Sequence, residues 1–124
     1  MRITAHITTT ASIIALVGSL GLGLAPTIAN ADEAADLAKG KELSFNRKKG
    51  NCLTCHQIAG GTLMGNIGPP LIAMKARFPD KAKLRADIWD MTKRNPHTMM
   101  PAFGKYRVMS ESEIDAVTEF VHSL

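Results

Sequence analysis

Cys52-Leu53-Thr54-Cys55-His56 decides how this chain is read. Two thiols three positions apart, followed at once by an imidazole, form the C-x-x-C-H signature of covalent haem attachment. The chemistry asks for these residue types at this spacing. The thiols add across the two vinyl groups of one porphyrin edge. The histidine is then carried beneath the iron, where a ring nitrogen binds axially. Cys52 and Cys55 are therefore the expected covalent anchors and His56 the expected axial ligand. No other cysteine exists in the chain, so a disulfide is the first competing reading, suited to an exported protein. A thioredoxin-like pair needs a βαβ pattern, and the sequence shows no convincing strands. A zinc site needs more ligands, and only His97 and His122 join His56 beyond the N-terminal segment.

Toward the N terminus, Arg2 precedes an apolar stretch over residues 11–25, followed by Ala29-Asn30-Ala31 and a polar turn in composition at Asp32. A basic start, an apolar middle and a small-x-small site predict a Sec-type signal peptide over residues 1–31, cleaved after Ala31. The apolar stretch is short and glycine-rich for a membrane span. The expected product is one exported domain over residues 32–124, in the periplasm and free of the membrane after cleavage. A domain this small buries a limited core and needs a staple, which a covalent porphyrin supplies. The aromatic content of 5% suits that, because the porphyrin replaces aromatic bulk. Without Arg2, 14 basic residues face 11 acidic ones. That balance, with no dense basic stripe interleaved with aromatics, does not point to nucleic acid.

Ala34, Leu37, Ala38 and Lys41 lie at helical spacing and predict a helix over residues 33–46, stopped near Gly50. Residues 60–70 hold four glycines and end in Pro69-Pro70, which predicts a loop, with a short helical turn over residues 71–76. Asp80 is a candidate N-cap for a helix over residues 80–94, with Leu84, Ile88 and Met91 on its buried face and Asn95-Pro96 as its stop. Ser110-Glu111-Ser112-Glu113 reads as a capping box, flanked by a Met109–Ile114 staple and followed by an apolar stripe of Ile114, Val117, Val121 and Leu124.

A proximal histidine donates its second ring N–H to a carbonyl, which sets its orientation. The turn Ile67-Gly68-Pro69-Pro70-Leu71 is placed to offer one, from Pro69 or a neighbour, or is only a turn. A second axial ligand has to come from later in the chain. Met64, Met74, Met91, Met99, Met100, Met109, His97 and His122 are the candidates. Met64 is close to His56, and Met91 and Met109 already have helix-face and staple roles. The irregular segment from Asn95 to Gly104, bracketed by Pro96 and Pro101, singles out Met100, with Met99 behind it. His/Met ligation raises the reduction potential and leaves no open position, which favours electron transfer over chemistry at the iron. Arg47, Lys48 and Lys49 before the haem motif, and Lys93, Arg94, Lys105 and Arg107 around the methionine segment, are a solvated surface or a field that steers an acidic partner. Trp89 is expected in the core. No nucleophile arrangement remains once both thiols are consumed, so no catalytic residue is expected.

Cys52-Leu53-Thr54-Cys55-His56, Gly68-Pro69-Pro70-Leu71, Met100-Pro101-Ala102-Phe103 and a terminal helix together resemble the class I c-type cytochrome domain. That resemblance implies an all-α fold of about three to four helices around one covalent haem c, with His56 and Met100 as axial ligands. It favours the Pro69 carbonyl as the acceptor for His56. It also implies that the first and last helices cross near a glycine and an aromatic residue. Gly40 with Leu43 or Phe45 is placed for this, against Phe120 or Val121, although Ser44 stands where a strict Gly-x-x-x-Phe has its aromatic. Arg47 to Cys52, Asn66 to Pro70, Arg77 to Lys81, Ile88-Trp89-Asp90 and Asn95 to Pro101 further resemble the SoxX family of bacterial thiosulfate oxidation. This second resemblance implies a heterodimer with a SoxA-type haem subunit that joins thiosulfate oxidatively to a cysteine of the SoxYZ carrier. The substrate chemistry would lie on SoxA, and this chain would pass electrons to a small soluble cytochrome c. The alternative is a free-standing carrier with transient partners.

Overall fold

The chain is described by a computed structural model over residues 28–124, with side chains from residue 32 onward. The expected signal segment lies outside the described residues, except that residues 28–31 form the first turn of a helix. Helix α1 spans Ile28–Phe45, α2 Met74–Arg77, α3 Lys81–Asp90 and α4 Glu111–His122. Two single 3-10 turns, Cys52–Thr54 and Met91–Lys93, complete the regular structure. The described residues contain no strand, and none of their helices is long and apolar enough to cross a membrane. The arrangement of the described residues is all-helical, as the resemblance to class I c-type cytochromes implies.

Helices α1 and α4 form the principal packing unit. A Cβ on Gly40 would fall inside the Ala116 carbonyl and against Phe120, so the two backbones meet there at a distance only glycine permits. Ser44, one turn on, is fully buried. The aromatic contact comes instead from Phe45, whose ring meets Phe120 edge-on with centroids 6.0 Å apart. Of the two residues expected in this role, Leu43 and Phe45, the aromatic one meets Phe120, one residue beyond the place of a strict Gly-x-x-x-Phe.

Helix α4 starts as its sequence requires. Ser110 Oγ accepts from Glu113 N at 3.2 Å, and Glu113 Oε2 accepts from Ser110 N at 2.8 Å. Met109 and Ile114 are both buried, completing the staple. Ile114, Val117 and Val121 turn inward, whereas Leu124 lies beyond the helix and its carbonyl accepts from Met74 N at 2.8 Å. Helix α3 is shorter than the expected 80–94. Asp80 caps it by accepting from Ala82 N at 2.9 Å, and Leu84 and Ile88 face the core. The helix then ends at Asp90, not at Asn95, because the Asp90 carboxylate accepts from Thr92 N and starts a separate turn. Met91 is only half-buried as a result. The short turn expected over residues 71–76 begins at Met74, since Ala73 adopts a left-handed φ of 51° that no α-helix can include.

Candidate functional site

The haem motif is held between α1 and the glycine-rich loop. Gly50 N donates to Leu43 O at 3.1 Å, bringing the chain back onto the end of α1. Asn51 then takes a left-handed φ of 47°, a conformation asparagine tolerates, and Cys52–Thr54 follows as one 3-10 turn. Cys52 packs on the core and Cys55 is half-buried; both thiols are free. Burial pushes the Cys52 thiol up to about 11, with the Ser44 hydroxyl and the backbone opposing and Cys55 adding to the rise. At neutral pH it is therefore a thiol and not a thiolate.

The loop beyond the motif folds back against it. Gly65 N donates to Leu53 O at 2.8 Å, Gly68 N to Cys55 O at 2.8 Å, and Leu71 N to Gln57 O at 2.9 Å. This registry carries Pro69 beneath the His56 ring, where the Pro69 carbonyl lies 2.7 Å from His56 Nδ1. A carbonyl only accepts, so Nδ1 carries the proton and Nε2 of the neutral ring keeps its lone pair free. Gly68 lies flat against the same ring. A Cβ there would stand 2.7 Å from Nδ1 and 2.9 Å from Nε2. Arg77 secures the turn from the other side by donating to Pro70 O at 2.8 Å.

The candidates for a second axial ligand separate by their surroundings. Met64 Sδ receives Ile58 N at 3.1 Å. Met74 and Met109 are buried in the core. Met91 Sδ lies against Arg94, and His122 Nε2 is 3.0 Å from Phe78 O. Met99 is 77% exposed, and His97 is exposed as well. Met100 is half-buried, packs on the core cluster, and has its amide held by Thr98 Oγ1 at 3.1 Å.

These residues fit a covalent haem. Two free thiols, an imidazole with one nitrogen directed and the other available, and a half-buried thioether make a suitable donor set. Ile67 and Ile72, on either side of the Pro69-Pro70 turn, are each 60% exposed, an apolar surface that a flat apolar group would cover. Among the described residues, no three His, Cys, Asp or Glu side chains are grouped to hold a metal ion by themselves.

Sequence reasoning missed several supporting residues. Ser44 beside Cys52, Arg77 on the Pro70 carbonyl, and Gly104 against the Trp89 ring all act by closeness in space. Only the Asp-x-Thr spacing at Asp90 offered a local signal, that of a side-chain-capped turn.

A family model described as "Cytochrome C oxidase, cbb3-type, subunit III" matches residues 35–121, which hold the whole site. No curated protein matches the chain.

Proposed function

The chain belongs to the cbb3-type cytochrome c oxidase subunit III family of cytochrome c domains, and from that premise we propose a specific electron-transfer role. Its small all-helical class I fold implies a covalent haem c. In our reading Cys52 and Cys55 hold one such haem by thioethers, His56 and Met100 are its axial ligands, and the Pro69 carbonyl orients His56. The observation that carries this is the 2.7 Å separation between His56 Nδ1 and Pro69 O. It orients the ring and raises the basicity of Nε2, as expected of a ligand held from behind. When bound, the haem supplies reversible one-electron chemistry at iron. The chain's residues ligate it, shield it and present its edge; none is catalytic. Met100→Ala is expected to abolish the long-wavelength thioether-to-ferric-iron charge-transfer band. The same variant should lower the potential by on the order of 100 mV, a modest part of the roughly 0.8 V that axial ligands span. An unchanged spectrum would sink the ligand assignment.

The finer reading places this domain in the periplasm, after removal of residues 1–31, as the SoxX-type subunit of a thiosulfate-oxidising complex. Support comes from the segments that resemble SoxX. In that role it pairs with a SoxA-type haem subunit. It accepts electrons released when thiosulfate is joined to a SoxYZ cysteine and passes them to a small soluble cytochrome c. The test is to isolate the protein from its own cells grown on thiosulfate and follow its reduction on adding thiosulfate. Recovery with a second haem subunit, and reduction only when the carrier is present, is the expected result. A lone monomer that exchanges electrons but is not reduced under those conditions would leave the free-carrier reading.

A further inference from the structure

One buried carboxylate closes the base of the loop that carries Met100. Asp90 ends α3 and is 4% exposed. Its Oδ1 accepts from Thr92 N at 3.1 Å and from the Thr92 hydroxyl. Its Oδ2 faces Lys105 Nζ at 3.5 Å. One residue earlier, Trp89 O accepts from Gly104 N at 3.1 Å and from Lys105 N at 3.4 Å. Gly104 is pressed so close to the Trp89 ring that a Cβ there would overlap it. Residues 89–90 and 104–105 therefore form a stem, and Met100 hangs in the loop between them.

Inside that loop the order is local. Asn95 Oδ1 accepts from His97 N at 3.1 Å, and Thr98 Oγ1 accepts from Met100 N at 3.1 Å. Together with Asp90, three side-chain oxygens each hold the amide two positions on, up to Met100 itself. Such turns shape the loop but do not place it relative to the rest of the molecule. The stem does that, together with Ala102 and Phe103, which are buried in the core. If the stem opens, part of the ordering of the loop around Met100 has to be met by any bond that Met100 makes. A buried carboxylate is costly unless paired, and Asp90 is paired to both sides of this stem.

We propose that Asp90 is a positioning residue for the Met100 thioether, latching the loop through Thr92 and Lys105 so that the sulfur is presented in one place. This rests on the reading of Met100 as an axial ligand. The test uses the holoprotein and measures how much added imidazole displaces the thioether, followed by loss of its charge-transfer band. Asp90→Ala is expected to lower the imidazole concentration for half-displacement about tenfold, the size set by losing one charge-assisted hydrogen bond. Lys105→Gln, on an exposed side chain, should shift it in the same direction by a smaller factor. Lys81→Gln, which breaks the pair to Glu119 between α3 and α4, controls for general loss of stability and should leave it unchanged.

Equal half-displacement in wild type and Lys105→Gln overturns the latch even if Asp90→Ala fails to fold. A matching shift in Lys81→Gln overturns it too, because the effect is then one of stability. A wild-type protein without the band, or a Met100→Ala protein that keeps it, removes the ligand reading and the latch together. A band that is present but insensitive to both stem substitutions removes the latch alone.

Discussion

At the scale of single residues, the site is a matter of what stands behind His56. The ring is clamped between the Pro69 carbonyl at 2.7 Å and the bare α-carbon of Gly68. The glycine is needed for space, since any side chain would enter the ring's own volume. Gly68→Ala should therefore tilt or displace the imidazole. We expect a lower fraction of protein with covalently attached haem and, in what matures, a weakened low-spin ferric spectrum. An alanine variant with wild-type yield and spectrum would show that the ring has room to move. Much of this was legible beforehand, because C-x-x-C-H is contiguous and the Gly-Pro-Pro turn advertises a fixed carbonyl. Ser44 was not legible as a neighbour of Cys52. Nothing in a helix sequence says which distant thiol a buried hydroxyl will meet, and here that hydroxyl opposes the burial that pushes the thiol up to about 11.

Among the elements, the α1–α4 crossing and the start of α4 differ sharply in what they tolerate. A methyl at Gly40 would meet the Ala116 carbonyl, which is backbone and cannot rotate away. Helix propensity favours alanine over glycine by about 1 kcal/mol. Overpacking against a fixed neighbour costs roughly 1–3 kcal/mol and occasionally more, and the severity of this overlap puts it at the upper end. Gly40→Ala is thus expected to lose about 2 kcal/mol net by urea unfolding, against about 1 kcal/mol for Ser110→Ala, which only removes one cap. A stabilised Gly40→Ala protein would mean that the helices can separate cheaply. The same contrast explains what the sequence revealed. The capping box of α4 is written within four residues and was readable. The true end of α3 was not, because Asn95-Pro96 is the louder stop signal, while the Asp90 carboxylate ends the helix earlier by competing for the Thr92 amide.

Across the whole molecule, the sequence shows charges but not their partners, and the structure divides the basic residues into two groups. Lys49 pairs with Glu113 at 2.8 Å, Arg94 with Asp87 at 2.7 Å, and Lys105 with Asp90 at 3.5 Å. Arg47, Lys48, Lys93 and Arg107 have no acidic partner among the described residues. The paired group acts on stability. The Lys49 side chain and the Ser110 amide hold Glu113 below its ordinary value, and Thr92 with Lys105 does the same for Asp90. A lowered carboxylate contributes stability above its unfolded value and loses it as the pH falls through its folded one. Asp87 opposes them, since burial raises it against the pull of Arg94, so its contribution is present at low pH and is lost as the pH rises. Urea midpoints followed from about pH 5 downward should fall less steeply in Lys49→Gln than in wild type, because the substitution removes the largest cause of the lowered Glu113. The unpaired group instead shapes the field felt by a redox partner. Combined Arg47→Gln and Lys48→Gln should slow reduction of hexacyanoferrate(III) by the ferrous holoprotein a few-fold at low salt, roughly as two lost charges at a screened surface imply. The difference should vanish near 1 M salt, where the Debye length is about 3 Å. Lys49→Gln combined with Glu113→Gln should leave that rate nearly unchanged, because the pair it removes carries no net charge. If this neutral double substitution slows the reaction as much as the loss of Arg47 and Lys48, charge near the site does not govern the encounter.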